Sequence, residues 1–112
     1  VRDVVRERIG GSLKADMTIE EIVKKVSEIS SVPEKEIVGK SRKMEIAQAR
    51  QVSMFLSREI LGKSLSGIGM YFGGRDHTTV MHAIKTISEK VDTDDVISNT
   101  ISKLRTDLNQ SF

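Results

Sequence analysis

Cysteine and tryptophan are both missing from these 112 residues, proline occurs once, and aromatic side chains make up only 4%. Without cysteine there can be no disulfide and no Cys-based zinc site, and the chain fits a reducing, cytoplasmic compartment. With so few rings, the core has to be built from Ile, Val, Leu and Met. No apolar run approaches the ~18 residues of a membrane span, and no signal-peptide pattern opens the chain. What is present is 38% hydrophobic and 30% charged, the balance of a soluble, folded domain rather than a disordered tail. The length suits one domain. The first residue is Val rather than Met, so the chain is expected to be part of something longer.

A net charge of +2 hides an uneven distribution. Residues 1–39 carry seven basic and eight acidic groups, and residues 91–112 carry two and four. Between them, residues 40–90 hold nine basic groups against four acidic ones, a net of +5. A basic centre between mildly acidic ends points to a surface for polyanions. A set of solvated Lys and Arg side chains would look the same by charge alone.

Apolar spacing along the chain is helical throughout. Val1, Val4, Val5 and Ile9 give a short stripe ended by Gly10-Gly11, read over residues 1–15 as a connector from an upstream domain. Residues 16–112 form the domain proper. Thr18 with Glu21 has capping-box spacing, and Ile19, Ile22, Val23, Val26 and Ile29 then share one face. Pro33 suits the first position of another short helix, and Gly39 its end. The stretch Gly39–Lys43, GKSRK, is polar and basic and reads as an exposed loop. From Met44 to Leu61 apolar residues occupy most of a helical circumference, as in the central helix of a bundle, and Gly62 closes it. Ser64 caps a segment carrying Leu65, Ile68 and Phe72. After Gly73-Gly74 a helix starts near Asp76, and Thr93–Asp95 can cap a last one bearing Val96, Ile97, Ile101, Leu104 and Leu108. No stretch alternates with strand period. The expectation is an all-α bundle of about six helices.

Two short helices joined by a three- or four-residue turn containing glycine are a helix-turn-helix candidate. At about 100° per residue, Val80, Ala83, Ile84, Ile87 and Val91 fall on one side of the second helix. Thr78, His82, Lys85 and Glu89 fall roughly opposite, behind an entry turn of Arg75, Asp76 and His77. Such a face fits the major groove. Thr brings a hydroxyl and a methyl, Asp can accept from a cytosine amino group, and His can donate or accept. Asp76 or Thr78 could equally serve as a helix cap, and Asp76 could do both.

Other chemistry fits poorly. His77 and His82 are five residues apart, which does not put them on one helical face, and no third zinc ligand is evident. GIGMYFGG matches the dinucleotide fingerprint only loosely, and neither a phosphate-loop motif nor a nucleophile elbow is present. Catalysis is not expected.

The run GGRDHTTVMHAI (Gly73–Ile84) resembles the signature of the C-terminal DNA-binding domain of the bacterial DnaA replication-initiator family. ARQVSMFLSRE (Ala49–Glu59) is similar to that domain's central helix, and LSGIGMYFGGRDH (Leu65–His77) to its first helix and turn; the resemblance covers about Thr18–Leu108. It implies a helical domain that binds short duplex sites, the DnaA boxes, at replication origins. It further implies base contacts in the major groove from Asp76, His77 and Thr78, with Leu65 and Ser66 near thymine methyls. Arg42 would enter the minor groove. Lys40, Arg50, Gln51, Arg58, Thr79 and His82 would contact phosphates. ATP would be bound by an upstream domain absent here, so this chain needs no cofactor of its own, and other initiator protomers would be met through absent domains.

Met44 and Glu45 depart from the family pattern where many members have further Arg or Lys. Gln48 stands where some have a basic residue, and Ala49 where Pro is frequent. These departures imply a somewhat lower nonspecific affinity. The runner-up reading is a helix-turn-helix transcription repressor, and a third is a basic interaction bundle for an acidic protein or acidic phospholipids. Nothing in the sequence forms a dedicated dimer seam, and a monomer is expected.

Overall fold

The structure, a computed structural model, describes residues 18–109, which form six helices and no strand. The connector expected over residues 1–15 lies outside the described residues. Helix α1 (Ile19–Ser30) starts where the Thr18 hydroxyl accepts the Glu21 N–H at 3.3 Å. Its stripe of Ile19, Ile22, Val23 and Val26 is buried. Helix α2 (Glu34–Ile37) is a single turn. Pro33 sits one place earlier than expected, as its N-cap, and the Pro33 carbonyl accepts the Glu36 and Ile37 N–H groups.

Helix α3 (Met44–Leu61) is central, with α1, α2, α4 and α5 packed around it. Ile46, Ala49, Val52, Met54 and Leu56 are buried. So are Ser53 and Ser57, whose hydroxyls donate to the carbonyls four residues earlier at 2.9 and 2.8 Å, so neither is left unsatisfied. Gly62 stops the helix at φ +65, with its N–H on the Arg58 carbonyl.

Helix α4 (Leu65–Tyr71) begins at Ser64, whose hydroxyl accepts the Gly67 N–H at 3.0 Å. Helices α5 (His77–Thr93) and α6 (Asp95–Asn109) follow. The α4–α5 turn spans Phe72–Asp76, five residues rather than three or four. It is tight because Gly69 lets the turn fall back onto α4. The Gly74 and Arg75 N–H groups both donate to the Gly69 carbonyl, and a Cβ on Gly69 would lie 2.0 Å from the Arg75 carbonyl oxygen. Gly73 and Gly74 supply the left-handed backbone, φ +85 and +78, that the reversal needs. Phe72, wholly buried, pins the turn to the core.

Helix α6 packs on α5 and α1, and the Asp94 carboxylate caps it by accepting the Val96 and Ile97 N–H groups. Ile97, Ile101, Leu104 and Leu108 are buried, but Val96 is 72% exposed. Val96 lies about 100° around the helix from Ile97, off a stripe the other four already complete. The Arg105–Glu59 ion pair, with Nε–Oε2 at 2.8 Å, joins α6 to α3. Both groups are more than a third exposed, so the pair contributes no more than ~1 kcal/mol.

Candidate nucleic-acid interface

The outward face of α5 is built by its register. Val80, Ala83 and Ile87 are buried, with Ile84 and Val91 half-buried against the core, and that places Thr78, His82, Lys85 and Glu89 in solvent. His77 and Thr79 are exposed beside them. Asp76 is the N-cap, and its Oδ1 accepts the Thr79 N–H at 2.9 Å. That hydrogen bond is the main reason the Asp76 carboxyl titrates below its ordinary range. A carboxylate offers about four lone-pair sites, so acceptor capacity remains for a ligand beside the cap.

The basic loop between α2 and α3 presents Lys40, Arg42 and Lys43 to solvent without regular secondary structure. What holds it is a pair of guanidinium groups. The Arg50 side chain reaches from α3 and donates to the Ile37 carbonyl at 2.7 Å, to Ser41 at 3.0 Å and to Glu36 at 3.1 Å. From the turn, Arg75 donates to the carbonyls of Phe72 and of Gly39, the latter at 2.8 Å.

Arg50 is only 7% exposed. Burial, and then the charge on Arg75, lowers its pKa. The position the resemblance puts on a phosphate is therefore first an internal anchor of the loop. Arg75 entered the sequence reading only as one of several polar groups in the entry turn. Its part in holding the loop leaves no sequence signal, because its partners are main-chain carbonyls.

Two shallow recesses share these guanidiniums. One lies between α3 and α5 and includes Gln51, Thr79 and His82; the other lies between loop and turn and includes Lys40, Arg42, Gly73 and Gly74. Both have Arg50 and Arg75 in their walls, so recognition-helix face and basic loop adjoin. Arg58, Leu65, Ser66, Asp76, His77 and Thr78 line neither recess. Arg58 is exposed and donates to the Lys63 carbonyl at 2.8 Å, Leu65 is half-buried, and Ser66 is exposed on the first turn of α4. Glu45, Gln48 and Ala49 line a separate groove with Val26, Ile97 and Leu104. Three of the four departures from the family pattern thus face away from the loop and recesses.

A family model described as "Bacterial dnaA protein helix-turn-helix" matches residues 19–87, from α1 through most of α5. The chain belongs to this family. The chromosomal replication initiator protein DnaA of Chlorobaculum tepidum is 43% identical over 89 residues, 80% of this chain and 18% of that protein. Its counterpart in Limosilactobacillus reuteri is 41% identical over 95 residues, 85% of this chain and 22% of the relative. That of Ruegeria pomeroyi is 44% identical over 89 residues, 80% and 19% respectively. The chain spans about a fifth of the length of these curated relatives. The residues matched to the family contain both recesses and the loop. Among the described residues no helix is long and apolar enough to cross a membrane.

Proposed function

We propose that this domain binds double-stranded DNA sequence-specifically at the origin boxes of a bacterial replication initiator. The observation that carries the reading is the adjacency of the exposed start of α5 and the Lys40–Lys43 loop, joined through Arg50 and Arg75. A groove-reading helix needs hydrogen-bonding side chains in its first turns and cations beside it for the flanking backbone. Asp76, His77 and Thr78 are the groups for base edges in the major groove. Leu65 and Ser66 approach thymine methyls from the start of α4. Arg42 enters the neighbouring minor groove. Lys40, Gln51, Arg58, Thr79 and His82 hold the phosphates, and Arg50 adds its charge from within. ATP binding and assembly with other initiator protomers belong, on this reading, to parts of the relatives that this chain does not match.

Dimethyl sulfate footprinting of a duplex carrying a DnaA box tests the placement. The reagent marks guanine N7 in the major groove and adenine N3 in the minor groove. Protection of N7 over one short run, with N3 protection immediately beside it, is expected. Protein-independent modification at both kinds of atom on a bound duplex would overturn it.

A further inference from the structure

Arg75 stands in the turn that leads into α5, and its guanidinium bridges the end of α4 and the chain just before the basic loop. Its guanidinium donates to Phe72, at the end of α4, and to Gly39, 36 residues earlier and next to the basic loop. The two backbones approach closely there, since a Cβ on Gly73 would come within 3.3 Å of the Val38 carbonyl oxygen and 3.4 Å of Arg75 Nη1. The loop has little else to fix it on that side. Its internal hydrogen bond, from the Lys43 N–H to the Ser41 hydroxyl, is 3.3 Å long and exposed. Arg50 holds residues 36, 37 and 41 from α3, so among the described residues it is Arg75 that hydrogen-bonds the Gly39 end to the α4–α5 turn.

We infer that Arg75 is a positioning residue, which sets the Lys40–Lys43 loop against the recognition helix so that Arg42 reaches the minor groove while α5 lies in the major groove. The inference rests on the DNA-binding reading above. A guanidinium suits the task because its planar fork fixes two acceptors at a set spacing, whereas an ammonium supplies a single point charge. Both acceptors are carbonyls, so the positive charge is not neutralised and stays beside the DNA. Without the fork, the loop would lose its fixed distance from α5, and Arg42 would reach the groove only in a fraction of its conformations.

The test is a double-mutant cycle on the whole 112-residue chain, with Arg42→Ala made alone and in the Arg75→Lys and Arg75→Gln backgrounds. Binding to a DnaA-box duplex is read by fluorescence anisotropy, and thermal melting is followed by circular dichroism. Alone, Arg42→Ala should weaken binding about tenfold. In either Arg75 variant the same change should cost under about twofold, since coupled neighbours are not additive. Arg75→Lys keeps the charge, so its failure to restore coupling separates positioning from simple phosphate attraction. It should also lose adenine N3 protection while keeping guanine N7 protection, a split that general destabilisation would not produce.

Equal factors for Arg42→Ala in all backgrounds would overturn the positioning role and leave the DNA-binding reading in place. No effect of Arg42→Ala in the otherwise unchanged chain, with no N3 protection, would overturn the positioning role and the minor-groove place of Arg42, and absence of N7 protection as well would overturn the DNA-binding reading. If Arg75→Gln fails to fold, the Arg75→Lys arm decides alone.

Discussion

The Asp76 carboxylate accepts the Thr79 N–H at 2.9 Å, so one side chain both caps α5 and stands first on its outward face. The two jobs can be separated. Asn caps as well as Asp but brings a donor where Asp offers only acceptors. Asp76→Asn should leave the melting temperature at neutral pH nearly unchanged while weakening binding to a cognate duplex about tenfold. Loss of both together would mean that the cap is all Asp76 provides.

The same hydrogen bond makes a pH prediction. The folded pKa of Asp76 is depressed, so its contribution to stability is full above the ordinary carboxylate range and is lost as pH falls through the lower folded value. Acid melting curves of the unchanged chain and of Asp76→Asn, alike near neutrality, should therefore separate toward low pH, with the unchanged chain falling below the variant. Parallel curves down to the acid limit would contradict the linkage.

Thr78 is exposed on the first turn of α5, where its loss leaves no cavity. Thr78→Ala should cost about 1–3 kcal/mol on a cognate duplex and little on random DNA, with melting unchanged. An equal loss on both duplexes, measured by titration, would assign Thr78 to the backbone instead.

Arg50→Met would keep much of the side-chain volume but take the guanidinium donor from the Ile37, Ser41 and Glu36 carbonyls, of which Glu36 keeps the Gly39 N–H. Denaturant unfolding should show a loss of about 2 kcal/mol or more, before any DNA is added. A variant of normal stability whose only defect was a flatter salt dependence of binding would make Arg50 a phosphate contact and not an anchor.

Gly69→Ala should be among the most damaging small changes. The added methyl would need the Arg75 carbonyl oxygen, now 2.0 Å from that point, to move, and both are backbone-linked. Overpacking of this kind costs about 1–3 kcal/mol or more. A variant that melted normally would show that the turn is looser than described.

Much of this was legible in the sequence because helical registers are. The apolar period of Val80, Ala83 and Ile87 fixed which way α5 faces, and therefore where Thr78 and His82 stand. Side-chain caps were legible for the same reason: Thr18, Ser64 and Asp76 act on N–H groups three residues away. Val96 was misplaced because an apolar residue beside a complete stripe carries no mark of which side it takes. The employment of Arg50 and Arg75 was not legible at all. Their partners are main-chain carbonyls up to 36 residues distant, and every residue has one, so no residue type announces the contact. The role of Gly69 carried no local signal either, since close approach of two backbones depends on a fold the local sequence does not specify.

The central claim is that the start of α5 reads bases and that the basic surface is not merely sticky. It is tested most directly by titrating a DnaA-box duplex and a shuffled duplex of equal composition at two salt concentrations, by fluorescence anisotropy. A preference on the order of a thousandfold that persists at the higher salt is predicted. Equal binding to both duplexes that collapses with salt would contradict it and leave only a polyanion surface.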